Sequence, residues 1–220
     1  MTFPVLHLIT GDHDVRRSGI LDMVRELCAG CGSAVAVHLR IRKSGAAEFL
    51  DLARRVREMA DESGSWCVVN GRVDVALCAR AHAVQLGQGA LPVPVARGLL
   101  PSSAWIGASV HDPALAELRV REGCDYLVLG TMYPTSTHPL GPIGGLPLLR
   151  RCVDLISEVP IVAIGGIDGT RVAEVMHAGA SGIAVNRAVW GGADPVREAG
   201  KLVSLLKDAR TGQTDLAQGG

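Results

Sequence analysis

The stretch "IGASVHDP" (residues 106–113) passes from an apolar, strand-like run into a helix start. Asp112 can cap free backbone N–H groups, and Pro113 is tolerated where the chain needs no N–H. His111 therefore stands at the joint between a strand and a helix. Two readings of that imidazole stand side by side: proton chemistry at a strand end, or the ordering of a loop.

The same handover recurs along the chain. Short β-branched runs lie at "VLHLIT" (5–10), "AVAVHLR" (34–40), "WCVVN" (66–70), "AVQL" (83–86), "WIGASV" (105–110), "YLVLG" (126–130), "IVAIGG" (161–166) and "GIAVN" (182–186). Helical patterns separate them. In "AAEFLDLARRVREMA", for example, Phe49, Leu50, Leu52, Ala53, Val56 and Met59 share one face. Eight β-then-α units predict an α/β fold, a single-domain (β/α)8 TIM barrel over residues 1–208, in preference to an open doubly wound sheet. Residues 209–220 are polar and Gly-rich, and are expected to form a flexible C-terminal tail. Barrels of this kind carry their chemistry where the βα loops converge, so the strand ends hold the candidate residues.

Composition narrows the function classes. The 220 residues carry equal numbers of acidic and basic side chains, and aromatics make up 3%. No basic run interleaves with aromatics, so a nucleic-acid partner is not expected. No stretch approaches the roughly 20 apolar residues of a membrane span. The start, "MTFPVLHLITGDHD", has no basic n-region, so a cytoplasmic location without a membrane partner is expected. Six scattered cysteines read as buried thiols of a reducing compartment; Cys28 and Cys31 form a C-x-x-C, but without a second pair at ligand spacing.

At the end of the second strand, Val35, Val37, Leu39 and Ile41 form one alternating set, and His38, Arg40 and Arg42 the other. Inward charges cost free energy unless they meet an anion, which makes Arg40 and Arg42 candidates for an anion-binding rim; a solvated arginine cluster is the alternative. Lys43 adds a third cation. After the seventh strand, Gly165 and Gly166 can let backbone N–H groups approach an oxyanion, and after the eighth come Asn186 and Arg187. Together they read as the phosphate cradle of barrel enzymes, against a tight turn as the plain alternative. The long loop "GTMYPTSTHPLGP" (130–142) offers Thr135 and Thr137 as hydroxyl donors, and His138 as a further donor or an exposed side chain. Asn70 can hydrogen-bond a polar heterocycle, while Arg72 and Asp74 read as a mutual salt bridge.

The motifs "LITGD", "HLRIRK", "VNGRVDVAL", "VQLGQ", "IGASVH", "GTMYPTSTH", "VAIGGI" and "GIAVNRAV" occur in an order that resembles the thiamin phosphate synthase superfamily, from residue 5 to about 205. The resemblance looks nearest to its thiazole tautomerase (TenI) branch. In the synthase branch, "QLR-x-K", "N-D-R" and "H-L-G-Q-x-D" follow strands two, three and four, and the two aspartates hold Mg²⁺ on a pyrimidine diphosphate. This chain has Gly71 and Ala90 at those aspartates, "HLRIR" at the first motif, and His138 where the synthase pattern has a lysine.

That branch implies a metal-independent, aromatising proton shift on a carboxylated dihydrothiazole phosphate in thiamin biosynthesis, an isomerase reaction with no cofactor and no metal. His111 occupies the position of the branch's proton-relaying histidine and would act as base and then acid. Gly165, Gly166, Asn186 and Arg187 would cradle the phosphate, with Thr135 and Thr137 closing over it. Arg40 or Arg42 would take the carboxylate, Asn70 would contact the ring or orient His111, and Arg187 would either strengthen phosphate binding or block the site. Two alternatives remain: thiamin phosphate synthase, joining a hydroxymethylpyrimidine diphosphate to a thiazole phosphate, and a non-catalytic barrel that binds phosphate ligands. The partner expected is a small phosphate ester, and the resemblance adds a homo-oligomer.

Overall fold

The computed structural model describes residues 2–135 and 143–218, with side chains through residue 211. Eight strands close into one barrel in chain order: β1 (Leu6–Thr10), β2 (Val35–Leu39), β3 (Trp66–Asn70), β4 (Ala83–Leu86), β5 (Trp105–Val110), β6 (Tyr126–Gly130), β7 (Ile161–Ile164) and β8 (Gly182–Val185). All neighbours are parallel, and β8 closes on β1 through Leu6 opposite Ile183 and Leu8 opposite Val185. The helices are α1 (Ile20–Cys31), α2 (Ala46–Ser63), α3 (Val73–Cys78), α4 (Val93–Leu99), α5 (Pro113–Arg121), α6 (Gly145–Leu155), α7 (Val172–His177), α8 (Arg187–Trp190) and α9 (Pro195–Gln218). This is the single-domain (β/α)8 barrel that the eight handovers predict, with short α8 added after β8. Helix α9 runs on to Gln218, so residues 209–218 of the expected tail are helical.

Strand alternation divides the core in two. Leu6, Leu8, Val35, Val37, Leu39, Val69, Ile106, Leu127, Leu129 and Ile183 point outward and pack under the helices. Ala36, Trp66, Val68, Ala83, Tyr126, Val128, Val162 and Ala184 fill the interior. Because strands buried on both faces have no solvent side, they read in the sequence as near-continuous apolar runs.

The interior balances large side chains with small ones. A Cβ on Gly107 would lie 2.2 Å from Tyr126 Cζ and 2.3 Å from Gln85 Oε1, so the missing side chain is what admits both. Below them, Phe3 closes the N-terminal end, its ring 5.4–5.8 Å from the rings of His7, Trp66, Trp105 and Tyr126. The C-terminal end is left for polar side chains.

Candidate functional site

At the end of β5, Asp112 caps α5 by accepting from the Leu115 N–H (2.8 Å), and Pro113 occupies its first turn. His111 is exposed. Its Nδ1–H donates to the Gly130 carbonyl at the end of β6, at 2.7 Å. A neutral ring protonated at Nδ1 keeps a lone pair on Nε2, so one imidazole both ties two strand ends together and retains an acceptor nitrogen.

At the end of β2, Arg40 is half-buried, and Arg42 and Lys43 are exposed. Burial, with Arg42 adding like charge, pushes the Arg40 guanidinium below its ordinary value. The Asp12 charge opposes that shift only in part, and among the described residues no hydrogen bond to the Arg40 guanidinium is found. The Asp12 Oδ1 accepts from the backbone N–H groups of Arg42 and Lys43, both at 2.9 Å, which pins the β1 loop to the β2 loop. Partial desolvation raises the Asp12 carboxyl, but those amides and the charges of Lys43 and Arg16 outweigh it and hold it below the usual range. A cavity of about 420 Å³ opens beside them, lined by Asp12, His13, Arg16, Arg17 and Lys43.

At the end of β3, Asn70 is partly exposed and its Oδ1 lies 3.1 Å from His38 Nδ1. His38 is fully buried inside the barrel, and its Nε2 lies 2.8 Å from Nδ1 of His7, equally buried. Sequence reasoning passed over His7. The signal was the alternation of "VLHLIT", which puts His7 on the inner set between Leu6 and Leu8.

The glycine turn after β7 is shaped by protein contacts. Gly165 and Gly166 have φ of 109° and 65°. A Cβ on Gly165 would meet Thr131 Cγ2 at 2.6 Å, and one on Gly166 the Pro134 carbonyl oxygen at 2.8 Å. The bare backbone thus admits the 131–134 segment, whose Tyr133 N–H donates to the Gly165 carbonyl. The Arg171 guanidinium lies 4.3 Å over the Tyr133 ring and donates to the Gly166 carbonyl. After β8, Asn186 Nδ2 donates to the Ile9 carbonyl (2.6 Å) and to Asp14 Oδ2 (3.0 Å), so its amide hydrogens close the barrel seam. Arg187 is exposed and Thr135 partly buried. Thr137 and His138 lie outside the described residues.

The residues present do not fit the magnesium ion of the synthase motif. Gly71 and Ala90 have no side-chain oxygen, Asp12 and Asp14 serve the loops as above, and Asp74 pairs with Arg72 at 2.5 Å. Among the described residues, no three His, Cys, Asp or Glu side chains converge as a metal site.

Fold and mouth together define a class: a single-domain (β/α)8 barrel whose strand ends gather cations and polar side chains. The chain belongs to the thiamine monophosphate synthase family, whose model matches residues 6–189. It is 36% identical over 202 residues to a protein of Geobacter sulfurreducens named putative thiamine-phosphate synthase, covering 91% of this chain and 93% of the relative. A thiamine-phosphate synthase of Methanoculleus marisnigri is 37% identical over 206 residues, covering 93% and 96%. Among solved structures, the thiamine phosphate pyrophosphorylase of Pyrococcus furiosus superposes with a TM-score of 0.82 at 31% identity, covering 93% of this chain and 96% of that one.

These names overturn the expectation of a tautomerase and of an isomerase. That expectation weighed a few mouth positions, chiefly Gly71, Ala90 and His38, whereas the likeness to proteins named as synthases runs the length of the barrel. The two reactions share one fold and one kind of phosphate ligand, so a handful of loop substitutions does not separate them.

Proposed function

We propose that the chain performs the thiamin phosphate synthase type of reaction, joining a hydroxymethylpyrimidine diphosphate to a thiazole phosphate at the barrel mouth. In that reaction the thiazole nitrogen forms a bond to the pyrimidine methylene carbon. The bond from that carbon to the diphosphate oxygen breaks, pyrophosphate takes the electron pair, and the nitrogen becomes cationic.

The observation that carries the reading is the cation cluster at the end of β2, in a chain matched along its length by proteins named as synthases. Arg40, half-buried and only partly offset by the charge of Asp12, with Arg42 and Lys43 beside it, gives a departing pyrophosphate a preorganised positive field. Among the described residues the magnesium of the synthase motif has no donor set, so no step is assigned to it. His111 Nε2 and Asn70 supply hydrogen-bonding groups to the two rings, and the turns after β7 and β8 border the thiazole phosphate.

Pyrophosphate release from the two substrates, followed with and without EDTA, tests the reading. Coupled product supports it. Absence of product at any magnesium concentration, with binding of the phosphate esters retained in calorimetry, would replace it with the ligand-binding barrel. The missing strand-end carboxylates at Gly71 and Ala90 are the observation that favours that second reading.

A further inference from the structure

The loops after β1 and β2 enclose the cavity of about 420 Å³ beside the mouth, and its walls are charged. Arg16, Arg17 and Lys43 are permanent cations, His13 adds an imidazole, and Asp12 is the one carboxylate among the lining residues. Pockets that hold small-molecule ligands run from about 300 to 1,000 Å³, so the size suits a small ligand. Arg40, the half-buried cation of the mouth, does not line it.

Asp12 links the two groups of cations. Its charge acts on Arg40 of the mouth and on Arg16 and Lys43 of the cavity. Its Oδ1 is already taken by the backbone N–H groups of Arg42 and Lys43, so the carboxylate serves first as the tie between the loops. One carboxylate shared in this way does not neutralise Arg16, Arg17 and Lys43 together. Asp14, the other nearby acid, is buried: its Oδ2 accepts from the Gly11 N–H (2.8 Å) and from Asn186 Nδ2 (3.0 Å), and its Oδ1 lies 3.9 Å from His13 Nδ1.

The cations stand on a fixed frame. A 3-10 turn, Asp14–Arg16, is held by the Val15 N–H on the Gly11 carbonyl (3.2 Å) and the Arg16 N–H on the His13 carbonyl (3.3 Å). Arg17 Nη1 donates to the Trp190 carbonyl at 2.5 Å, which anchors the turn to α8. The head groups of Arg16 and Lys43, both exposed, have no hydrogen bond or ion pair among the described residues. Like charges gathered on one concave wall repel each other, and an anion with several oxygens relieves that repulsion while accepting from each donor.

We propose that this cavity is a second anion site, which takes a phosphate or diphosphate group on Arg16, Arg17 and Lys43, with His13 as a further donor. The choice of occupant rests on the synthase reading: pyrophosphate released at Arg40 meets a second set of cations next to the first. A phosphate dianion from solution offers the same chemistry.

Calorimetric titration of the whole protein with inorganic pyrophosphate, in EDTA, counts the sites. The expected result is two equivalents for the wild type, one weakened at least about tenfold in Arg16→Gln and the other in Arg40→Gln. Arg16→Lys keeps the charge and is expected to stay within about threefold of the wild type. One equivalent or none in the wild type overturns the proposal, as does an Arg16→Gln variant with both affinities within about twofold of the wild type. The His13 ring signals of nitrogen-15-histidine-labelled protein, identified with His13→Asn, give a local reading. They are expected to shift with pyrophosphate in the wild type and in Arg40→Gln, and signals that stay still also overturn the proposal. Titration with inorganic phosphate separates the sources. Pyrophosphate held at least about tenfold tighter in the cavity supports the released product, and a smaller difference supports a phosphate dianion from solution. Failure of the synthase assay with the Arg16-dependent site intact removes the product as occupant and leaves the site standing.

Discussion

The Nδ1–H of His111 donates to the carbonyl of Gly130 at 2.7 Å, joining the ends of β5 and β6 across the barrel mouth. The residue that marks the strand-to-helix joint in the sequence is therefore also a strut between neighbouring strands. Because the contact is at the surface, water can replace it. His111→Ala is expected to lower unfolding free energy by about 1 kcal/mol in urea titrations. A loss of about 3 kcal/mol or more would mean that His111 holds up more than this one bond.

Arg40 is half-buried, burial pushes its guanidinium below its ordinary value, and among the described residues it has no hydrogen-bond acceptor, which costs the folded state. Arg40→Gln is expected to weaken pyrophosphate binding at least about tenfold while leaving the melting temperature unchanged or raised. Calorimetric titration and a thermal melt on the same sample separate the two effects. A melting temperature that drops with unchanged binding would make Arg40 a structural residue.

His7 and His38 stay neutral in the folded barrel, whereas the unfolded chain protonates them near the ordinary histidine value of 6.5. Between that value and about 4 the unfolded state binds more protons, so stability rises with pH across the window and is flat above it. His7 alone contributes roughly 3 kcal/mol of loss on going from the top of the window to the bottom. His38 adds in the same direction. Urea midpoints measured from pH 7.5 to 4.5 check this, and a flat profile would contradict neutral burial of the pair.

Gly107 and Gly30 make a matched test of packing. A Cβ on Gly107 would fall 2.2 Å from the Tyr126 ring, while one on Gly30 in α1 meets nothing within 4 Å. Gly107→Ala is expected to destabilise by about 3 kcal/mol or more, because the interior cannot yield. Gly30→Ala is expected to stabilise by about 0.5–1 kcal/mol through helix propensity. Chemical denaturation of both variants decides, and similar values for the two would contradict the packing account.

Much of the fold was legible in one dimension because local rules carry it. The period-two apolar runs, the Asp112-Pro113 helix start and the spacing of eight handovers each need neighbours only a few residues away. The cations of "HLRIRK" were likewise readable as a strand-end rim, since alternation alone separates Arg40 from Leu39 and Ile41. What Gly165, Gly166 and Asn186 do was not legible. The two glycines make room for residues 131–134, and Asn186 spends its amide hydrogens on Ile9 and Asp14, about 170 positions away.

Composition and periodicity were enough for the barrel, because backbone alternation and helix capping are short-range physics that recur unit by unit. They could not say that His7 stands under His38, or that His38 stands under Asn70. Those contacts join β1, β2 and β3 across 31 and 32 residues of chain, and they exist only once the sheet has closed and set the register. A buried imidazole takes its tautomer and charge from whichever groups closure brings against it. The hydrogen-bonding state of His7, His38 and Asn70 is therefore a property of the closed barrel.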